Sequence, residues 1–309
     1  MGEGALEERE WMARGHDAAP GARTAPAAAL YVVATPLGHL RDITLRALDV
    51  LASADVIFAE DTRVSAVLLQ RHGITTRPRA LHAHNEAQRA GDVVAALAAG
   101  HSVALLTDAG TPGISDPGAR VVRTVRDAGY PVVPVPGPSA IAAAISAAGL
   151  LAERFLFVGF LPTQEKARTE LLAPFVALPV ALVFYEAPHR VRKTVTELAG
   201  LLAPTRTLVV ARELTKAFET IVTLPLADAP AWIAADSNRE RGEFVLIVDA
   251  PPAAAPITVV DAQAQAWLAA LVAELPPARA AQLVARMTGA PREALYRAAV
   301  ALKEAGRAP

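Results

Sequence analysis

The chain reads as an α/β protein in which two α/β domains face each other across a cleft and a small C-terminal helical domain follows. Three observations predict this. Short apolar runs alternate with helical segments from Leu30 onward, the pattern of βαβ units and a mostly parallel sheet. A polar loop dense in Gly and Pro, T-D-A-G-T-P-G-I-S-D-P-G at Thr107–Gly118, stands directly behind the apolar run Ser102–Leu106. In open α/β sheets that position, the carboxyl end of a strand, is where ligands bind. Beyond a Pro-rich break at 251–256 the remaining sequence is all helical.

In the first domain, 29–148, strands are expected at Leu30–Ala34, Val56–Ala59, Ala80–His82, Val103–Leu106 and Val132–Val135. Helices are expected at Leu45–Ala52, Val64–Arg71, Ala87–Ala99 and Ala119–Ala128. The last of these sets Val121, Val122 and Val125 on one face and Arg120, Arg123 and Arg126 elsewhere. The turn Pro136–Ser139 opens an Ala/Ile helix that closes this domain and leaves spare N–H groups at its start. The second domain, 149–250, carries strands at Phe155–Phe160, Val180–Tyr185, Thr207–Ala211, Phe218–Thr223 and Phe244–Val248, with helices at Gln164–Phe175, Val191–Leu202 and Pro230–Ala235. Two strands without a helix between them, near 207–223, predict partly antiparallel order. A linker at 251–257 leads to the helical domain, 258–309. Its last part carries Arg279, Arg286, Arg292, Arg297, Lys303 and Arg307 against Glu293 and Glu304, which reads equally as an RNA contact or as a solvated helix pair.

At 309 residues the chain is long enough for about two domains and a sizeable core. A net charge of −1 advertises neither nucleic acid nor membrane as a partner, and the absence of Cys excludes disulfides, thiol catalysis and cysteine–zinc sites. Residues 1–28 hold several acids and no apolar segment of the signal-peptide kind; they are expected to be a disordered extension. No stretch has the length and flanks of a membrane span, so a cytoplasmic protein with no membrane contact is expected.

Chemistry-bearing residues gather at strand ends. Thr35–Leu40 follows the first strand, Glu60–Arg63 the second, His82–Glu86 the third and Thr107–Gly118 the fourth, so these loops and Pro136–Ser139 converge on one rim. Asp108 and Asp116, with Thr111 and Ser115, supply carboxylates and hydroxyls that can fix a polar ligand. Asp61 and Glu86, at helix starts, read equally as caps. The dinucleotide and P-loop glycine patterns are absent. His82 and His84 stand without further metal-ligating neighbours, so no metal is expected. In the second domain, Glu186–Arg190 and Ala211–Lys216 are charged loops expected to face the same cleft. From 186 to 216 six cations (Arg190, Arg192, Lys193, Arg206, Arg212, Lys216) stand against Glu186, Glu197 and Glu213, a balance that suits a phosphodiester substrate.

Eight motifs occur in order: T-P-L-G-H-L-R-D-I-T-L-R-A-L, E-D-T-R, H-N-E, T-D-A-G-T-P-G-I-S-D-P-G, P-G-P-S-A, G-F-L-P, E-A-P-H-R and A-R-E-L-T-K. As a set they resemble the tetrapyrrole methylase superfamily, the class III S-adenosylmethionine-dependent methyltransferases. Within it they resemble the bacterial 16S rRNA (cytidine-2′-O)-methyltransferase family, although that pattern usually has Asn where His39 stands and Ser where Ala187 stands. The resemblance implies a cofactor, S-adenosylmethionine, folded into the interdomain cleft. Its contacts would come from Pro36, Leu37 and Gly38, from Asp108, Ala109, Gly110, Thr111, Pro112, Gly113 and Ser115, and from Pro138, Ser139 and Ala140. It also implies a homodimer, and a decoding-centre cytidine of 16S rRNA or the small ribosomal subunit as substrate, methylated on the ribose 2′-OH. Candidates to take or orient that proton are Glu60, Asp61, His84 and Glu86 on one wall and Glu186 and Glu213 on the other. Arg63, His189, Arg190, Arg212 and Lys216 would contact RNA. The rival readings are a precorrin-type C-methyltransferase, which needs a large apolar cleft, and a non-catalytic RNA-binding or ribosome-assembly module.

Overall fold

Leu30–Val33 (β1), Val56–Ala59 (β2), Arg79–Ala80 (β3), Val103–Leu106 (β4) and Val132–Val135 (β5) pair in the order β3-β2-β4-β1-β5, all parallel. The computed structural model describes residues 28–151, 153–176, 178–251 and 262–305. β1, β2 and β4 are covered on both faces, which is why each reads as an unbroken apolar run. Tyr31, Val33, Ile57, Ala59, Ala104 and Leu106 point to one face, under the helices Leu45–Ser53 (α1) and Thr62–Arg71 (α2). Leu30, Val56, Phe58, Val103 and Leu105 point to the other, under Glu86–Ala98 (α3) and Ala119–Asp127 (α4). The chain leaves β1 toward β2 and leaves β4 toward β5, in opposite directions from neighbouring strands. The loops after β1 and β4 therefore meet at the switch point of the sheet.

The second sheet is mixed. Phe155–Phe160 (β6), Ala181–Glu186 (β7), Thr207–Arg212 (β8), Thr220–Pro225 (β9) and Phe244–Val248 (β10) run in the order β6-β7-β10-β8-β9. Only β6 and β7 are parallel; β10 enters antiparallel between β7 and β8, and β8 and β9 form an antiparallel pair. β9 begins two residues later than the sequence suggests. The chain first turns at Lys216 and Glu219, whose N–H groups donate to the carbonyls of Glu213 and Lys216, and this leaves Phe218 exposed in the turn. β3 likewise shrinks to two residues, since Asn85 Oδ1 accepts from the His82 N–H at 2.8 Å and draws the chain into the next helix.

Ala140–Ala148 (α5), expected to close the first domain, instead packs through Ala144 and Ala148 on Ala181, Val183, Val209, Ala211, Val245 and Ile247 of the second sheet. The opposite face of that sheet is covered by Glu165–Leu172 (α6), Val191–Leu201 (α7) and Ala229–Ala234 (α8), through Leu172, Val191, Val195, Leu198 and Ile233. Residues up to Ala250 thus form one unit containing both sheets. The expected linker overlaps residues 252–261, and the N-terminal extension residues 1–27; both stretches lie outside the described residues. The C-terminal unit holds Ala262–Glu274 (α9), Pro277–Thr288 (α10) and Arg292–Ala305 (α11) around its own core of Leu268, Val272, Val284, Leu295 and Ala299. Arg279, Arg286, Arg292 and Arg297 lie on its surface.

Candidate active site

The loops at the switch point are joined through their backbones. Thr35 and Gly110 exchange N–H···O bonds of 2.8 and 3.0 Å, and Thr35 Oγ1 donates to the Thr107 carbonyl at 3.1 Å. Thr111 Oγ1 donates to the Pro138 carbonyl at 3.0 Å, tying the β4 loop to the start of α5. The Asp61 N–H donates to Asp108 Oδ1 at 2.9 Å, tying in the β2 loop. Gly118 adopts φ +134°, open only to glycine; Gly118, Arg120 and Val121 then present their N–H groups to Glu86 Oε1, the first two at 3.0 and 2.9 Å. Glu86 therefore caps α4 from 32 residues away in sequence, and Asp61 caps α2 by accepting from the Arg63 N–H.

Across from these loops stands the end of the second sheet. A bulge between Phe157 and Gly159 interrupts the register of β6, sets Gly159 against Ser115 and leaves Phe160 half exposed at the strand's end. On the other side, the His39 N–H donates to Thr215 Oγ1 at 3.2 Å, and Gly38 lies so close to the Lys216 stem that a Cβ there would sit 2.3 Å from Cγ. Between the two walls lies a cavity of about 360 Å³. Its first wall is Leu37, Glu60, Asp108–Thr111, Ile114, Asp116, Ser139 and Ala140. Its second is Phe160, Tyr185–Pro188, Ala211, Leu214 and Glu243–Val245.

Of the sequence-chosen cofactor positions, Leu37, Asp108, Ala109, Gly110, Thr111, Ser139 and Ala140 line this cavity. Pro36, Gly38, Pro112, Gly113, Ser115 and Pro138 lie in the same loops outside its lining. Among the proton-handling candidates only Glu60 and Glu186 line it. Asp61, His84, Glu86 and Glu213 do not. Sequence reading passed over Glu243, Phe244 and Val245, which arrive because β10 inserts beside β7, and over Tyr185 and Phe160.

Charge in the cavity is one-sided, since among the described residues no Lys, Arg or His lines it while Glu60, Asp108, Asp116, Glu186 and Glu243 do. The Glu186 side chain is wholly buried and satisfied: it accepts from the Ala187 N–H and Thr194 Oγ1, and Arg190 Nε stands 3.3 Å away. Glu60 is raised above the usual carboxylate range by burial and by the Asp108 charge, despite a hydrogen bond from the Asp108 backbone. Asp116 is pushed up to about 7 by burial and by Glu60, Asp108 and Glu243. Tyr185 rises to about 12 through burial and the Asp116 charge and stays a neutral phenol. Asp61, outside, is lowered to about 2 by its hydrogen bonds from Arg63.

Four of the six cations of 186–216 serve the protein's own groups and not a phosphate-facing surface, while Arg192 and Lys193 stay exposed on α7, Arg192 near Glu240 and Lys193 near Glu165 and Glu197. Arg206 is buried, with Nε and Nη2 on the Asp249 and Val180 carbonyls. Arg190 donates to the Leu161 carbonyl, and Arg212 to the carbonyls of Asn238, Arg241 and Phe218 and to Thr220 Oγ1. Lys216 Nζ lies 3.0 Å from both Glu213 and Glu243; burial opposes its charge, but the two carboxylates outweigh that and raise its pKa. Arg63 and His189 remain exposed. His82 and His84 meet edge to face at 6.0 Å, and no group of three His, Cys, Asp or Glu among the described residues could hold a metal ion.

Residues 29–230 match the model for tetrapyrrole (corrin/porphyrin) methylases. The chain belongs to this family. Residues 258–303 match the RsmI C-terminal HTH domain. Ribosomal RNA small subunit methyltransferase I of Escherichia coli O157:H7 is 48% identical over 271 residues, covering 88% of this chain and 94% of that protein. The protein of the same name from Pseudomonas aeruginosa is 46% identical over 274 residues, covering 89% and 97%. Among solved structures, the fold resembles uroporphyrin-III-C-methyltransferase from Thermus thermophilus (TM-score 0.53, 23% identity, 72% of this chain and 94% of that one). It also resembles the methyltransferase CobJ (TM-score 0.57, 21% identity, 72% and 93%). These members share the two-sheet architecture. No helix among the described residues is long and apolar enough to cross a membrane.

Proposed function

We propose that this chain is an S-adenosylmethionine-dependent methyltransferase of 16S rRNA that modifies the ribose 2′-OH of a decoding-centre cytidine. The observation that carries this reading is its near full-length kinship with proteins named ribosomal RNA small subunit methyltransferase I, at 44–48% identity. When bound, S-adenosylmethionine supplies a methyl group on a positively charged sulfur. The cavity fits such a molecule. Its volume lies in the range of small-molecule sites, backbone groups of Ala109, Gly110 and Thr111 are set around it, and its carboxylates favour a ligand carrying sulfonium and ammonium charge. Asp108–Gly113 and Ser115, Pro138–Ala140 and Pro36–Gly38 would hold the cofactor, and the closed loop network fixes their positions before binding.

The same charge distribution keeps phosphates out of the cavity. The target ribose would present its 2′-OH at the cavity mouth with its phosphates left outside, near the exposed Arg63 and His189; this suits a target in a single-stranded or remodelled segment. Exposed arginines of α10 and α11 offer further phosphate contacts. The resemblance also supports a cytoplasmic homodimer, and sedimentation equilibrium tests the subunit count. The test of function is transfer of labelled methyl groups to small ribosomal subunits lacking their own methylation, followed by nuclease mapping. Label on a cytidine ribose in the decoding region is the expected result. Cofactor binding without label on subunits or on free rRNA would sink the reading.

A further inference from the structure

We propose that Asp116 is the catalytic residue that takes the proton from the ribose 2′-hydroxyl. This rests on the methyltransferase reading above. Asp116 lines the cavity between the cofactor loop and the tip of the second sheet, beside the wall that carries Phe160 and Tyr185. The other cavity carboxylates are each engaged. Glu60 accepts from the Asp108 backbone, Asp108 from the Asp61 N–H, Glu186 from Ala187 and Thr194, and Glu243 pairs with Lys216. The candidates outside the lining are also occupied or remote: Asp61 holds Arg63, Glu86 caps α4, Glu213 holds Lys216, and His84 sits exposed beyond the lining. Among the described residues, the Asp116 carboxylate has neither a hydrogen bond nor an ion pair; its charged neighbours are Glu60 from the end of β2, Asp108 from the end of β4 and Glu243 from the start of β10. Tyr185 on β7 faces it as a neutral phenol.

A carboxylate kept free among like charges is a poor anchor and a good proton acceptor. Its affinity for a proton, raised to about 7, matches the pH at which a general base is most useful. In the step proposed, the ribose oxygen forms its bond to the methyl carbon while its proton passes to Asp116. The methyl–sulfur bond breaks with its electron pair left on sulfur, and Asp116 afterwards returns the proton to solvent.

The experiment compares wild-type protein and D116N in single-turnover methyl transfer across pH. Cofactor affinity by calorimetry and thermal unfolding of the ligand-free proteins are measured alongside. The expected result is a loss of roughly 10²–10⁴-fold in rate at saturating cofactor and RNA, with cofactor affinity kept and the acidic limb near pH 7 gone. The unfolding measurement is independent of turnover. The folded-state pKa of Asp116 lies above the unfolded value of 3.8, so its ionisation costs stability as pH rises from near 4 through about 7; D116N should melt higher than wild type at pH 8. An active D116N that keeps the acidic limb overturns the proposal, as does a D116N whose rate recovers once cofactor is raised, which would make Asp116 a counter-charge. Wild-type protein that binds cofactor and methylates no rRNA overturns the functional reading itself, a result distinct from either.

Discussion

At the scale of single residues, the main lesson is that charge near a cleft must be followed to its partners. Glu86 illustrates it: read along the sequence it is a cap or a base, and in space it serves the N-terminus of α4 through three backbone N–H groups. Replacing it with Ala leaves those donors without their acceptor, and we expect a loss of about 1–2 kcal/mol, as for strong helix caps. Urea denaturation of E86A would measure it, with cofactor affinity as the second readout; a rate loss at unchanged stability would restore Glu86 to the catalytic candidates. Arg190, Arg206 and Arg212 behave alike, each donating to backbone carbonyls. Arg212 gives its donors to three carbonyls and one hydroxyl, so R212A should lower stability, while the salt dependence of RNA binding keeps its slope. A shallower slope in R212A would return that arginine to the RNA surface.

At the scale of elements, strands and loop positions were legible because their signals are local. A strand covered on both faces must be apolar throughout, and a loop of Gly and Pro announces itself, so β1, β2, β4 and the rim loops were placed from sequence alone. What was not legible depends on distant pairing. Glu243, Phe244 and Val245 reach the cavity because β10 slots between β7 and β8, and nothing in the run F-V-L-I-V states its neighbours. The turn before β10 shows how tightly that insertion is made. Gly242 has φ +94°, and a Cβ there would stand 2.4–2.7 Å from Cγ, Cδ and Oε1 of Glu213, whose Oε1 accepts from the Glu243 N–H at 3.0 Å. G242A combines backbone strain with that clash, and a cost of about 1–3 kcal/mol is expected. Because Glu243 also pairs with Lys216, the variant should weaken cofactor binding as well as stability. Chemical denaturation and calorimetry report the two separately, and stability within error of wild type would refute the packing argument.

At the scale of the whole N-terminal unit, α5 decides whether two sheets act as one site. Its first residues, Ser139 and Ala140, line the cavity, and its turn accepts the Thr111 hydrogen bond through the Pro138 carbonyl. Its body lies on the second sheet, where Ala144 is fully buried against a face that includes Val183, Val209 and Ile247. The sequence places this Ala/Ile helix with the first domain because it follows β5 directly; the reason it sits on the other sheet is that its small side chains allow close approach to the β-branched residues there. Cavity geometry is therefore set by a helix–sheet contact rather than by the loops alone. A144L adds volume where none is free, and overpacking of this kind costs about 1–3 kcal/mol. The strain has two outlets: the helix lifts from the sheet and carries Pro138–Ala140 away from the β4 loop, or the sheet side chains repack and the cavity keeps its shape. In the first case cofactor affinity falls together with stability; in the second, stability alone falls. We expect the first, since the Thr35–Gly110 bridge and the Asp61–Asp108 bond hold the β4 loop to the first sheet, and the single Thr111–Pro138 bond is all that has to give as α5 moves. Calorimetric titration of A144L with S-adenosylmethionine, beside its urea midpoint, distinguishes them, and unchanged affinity in a destabilised variant would mean that the loop network, not α5, sets the site.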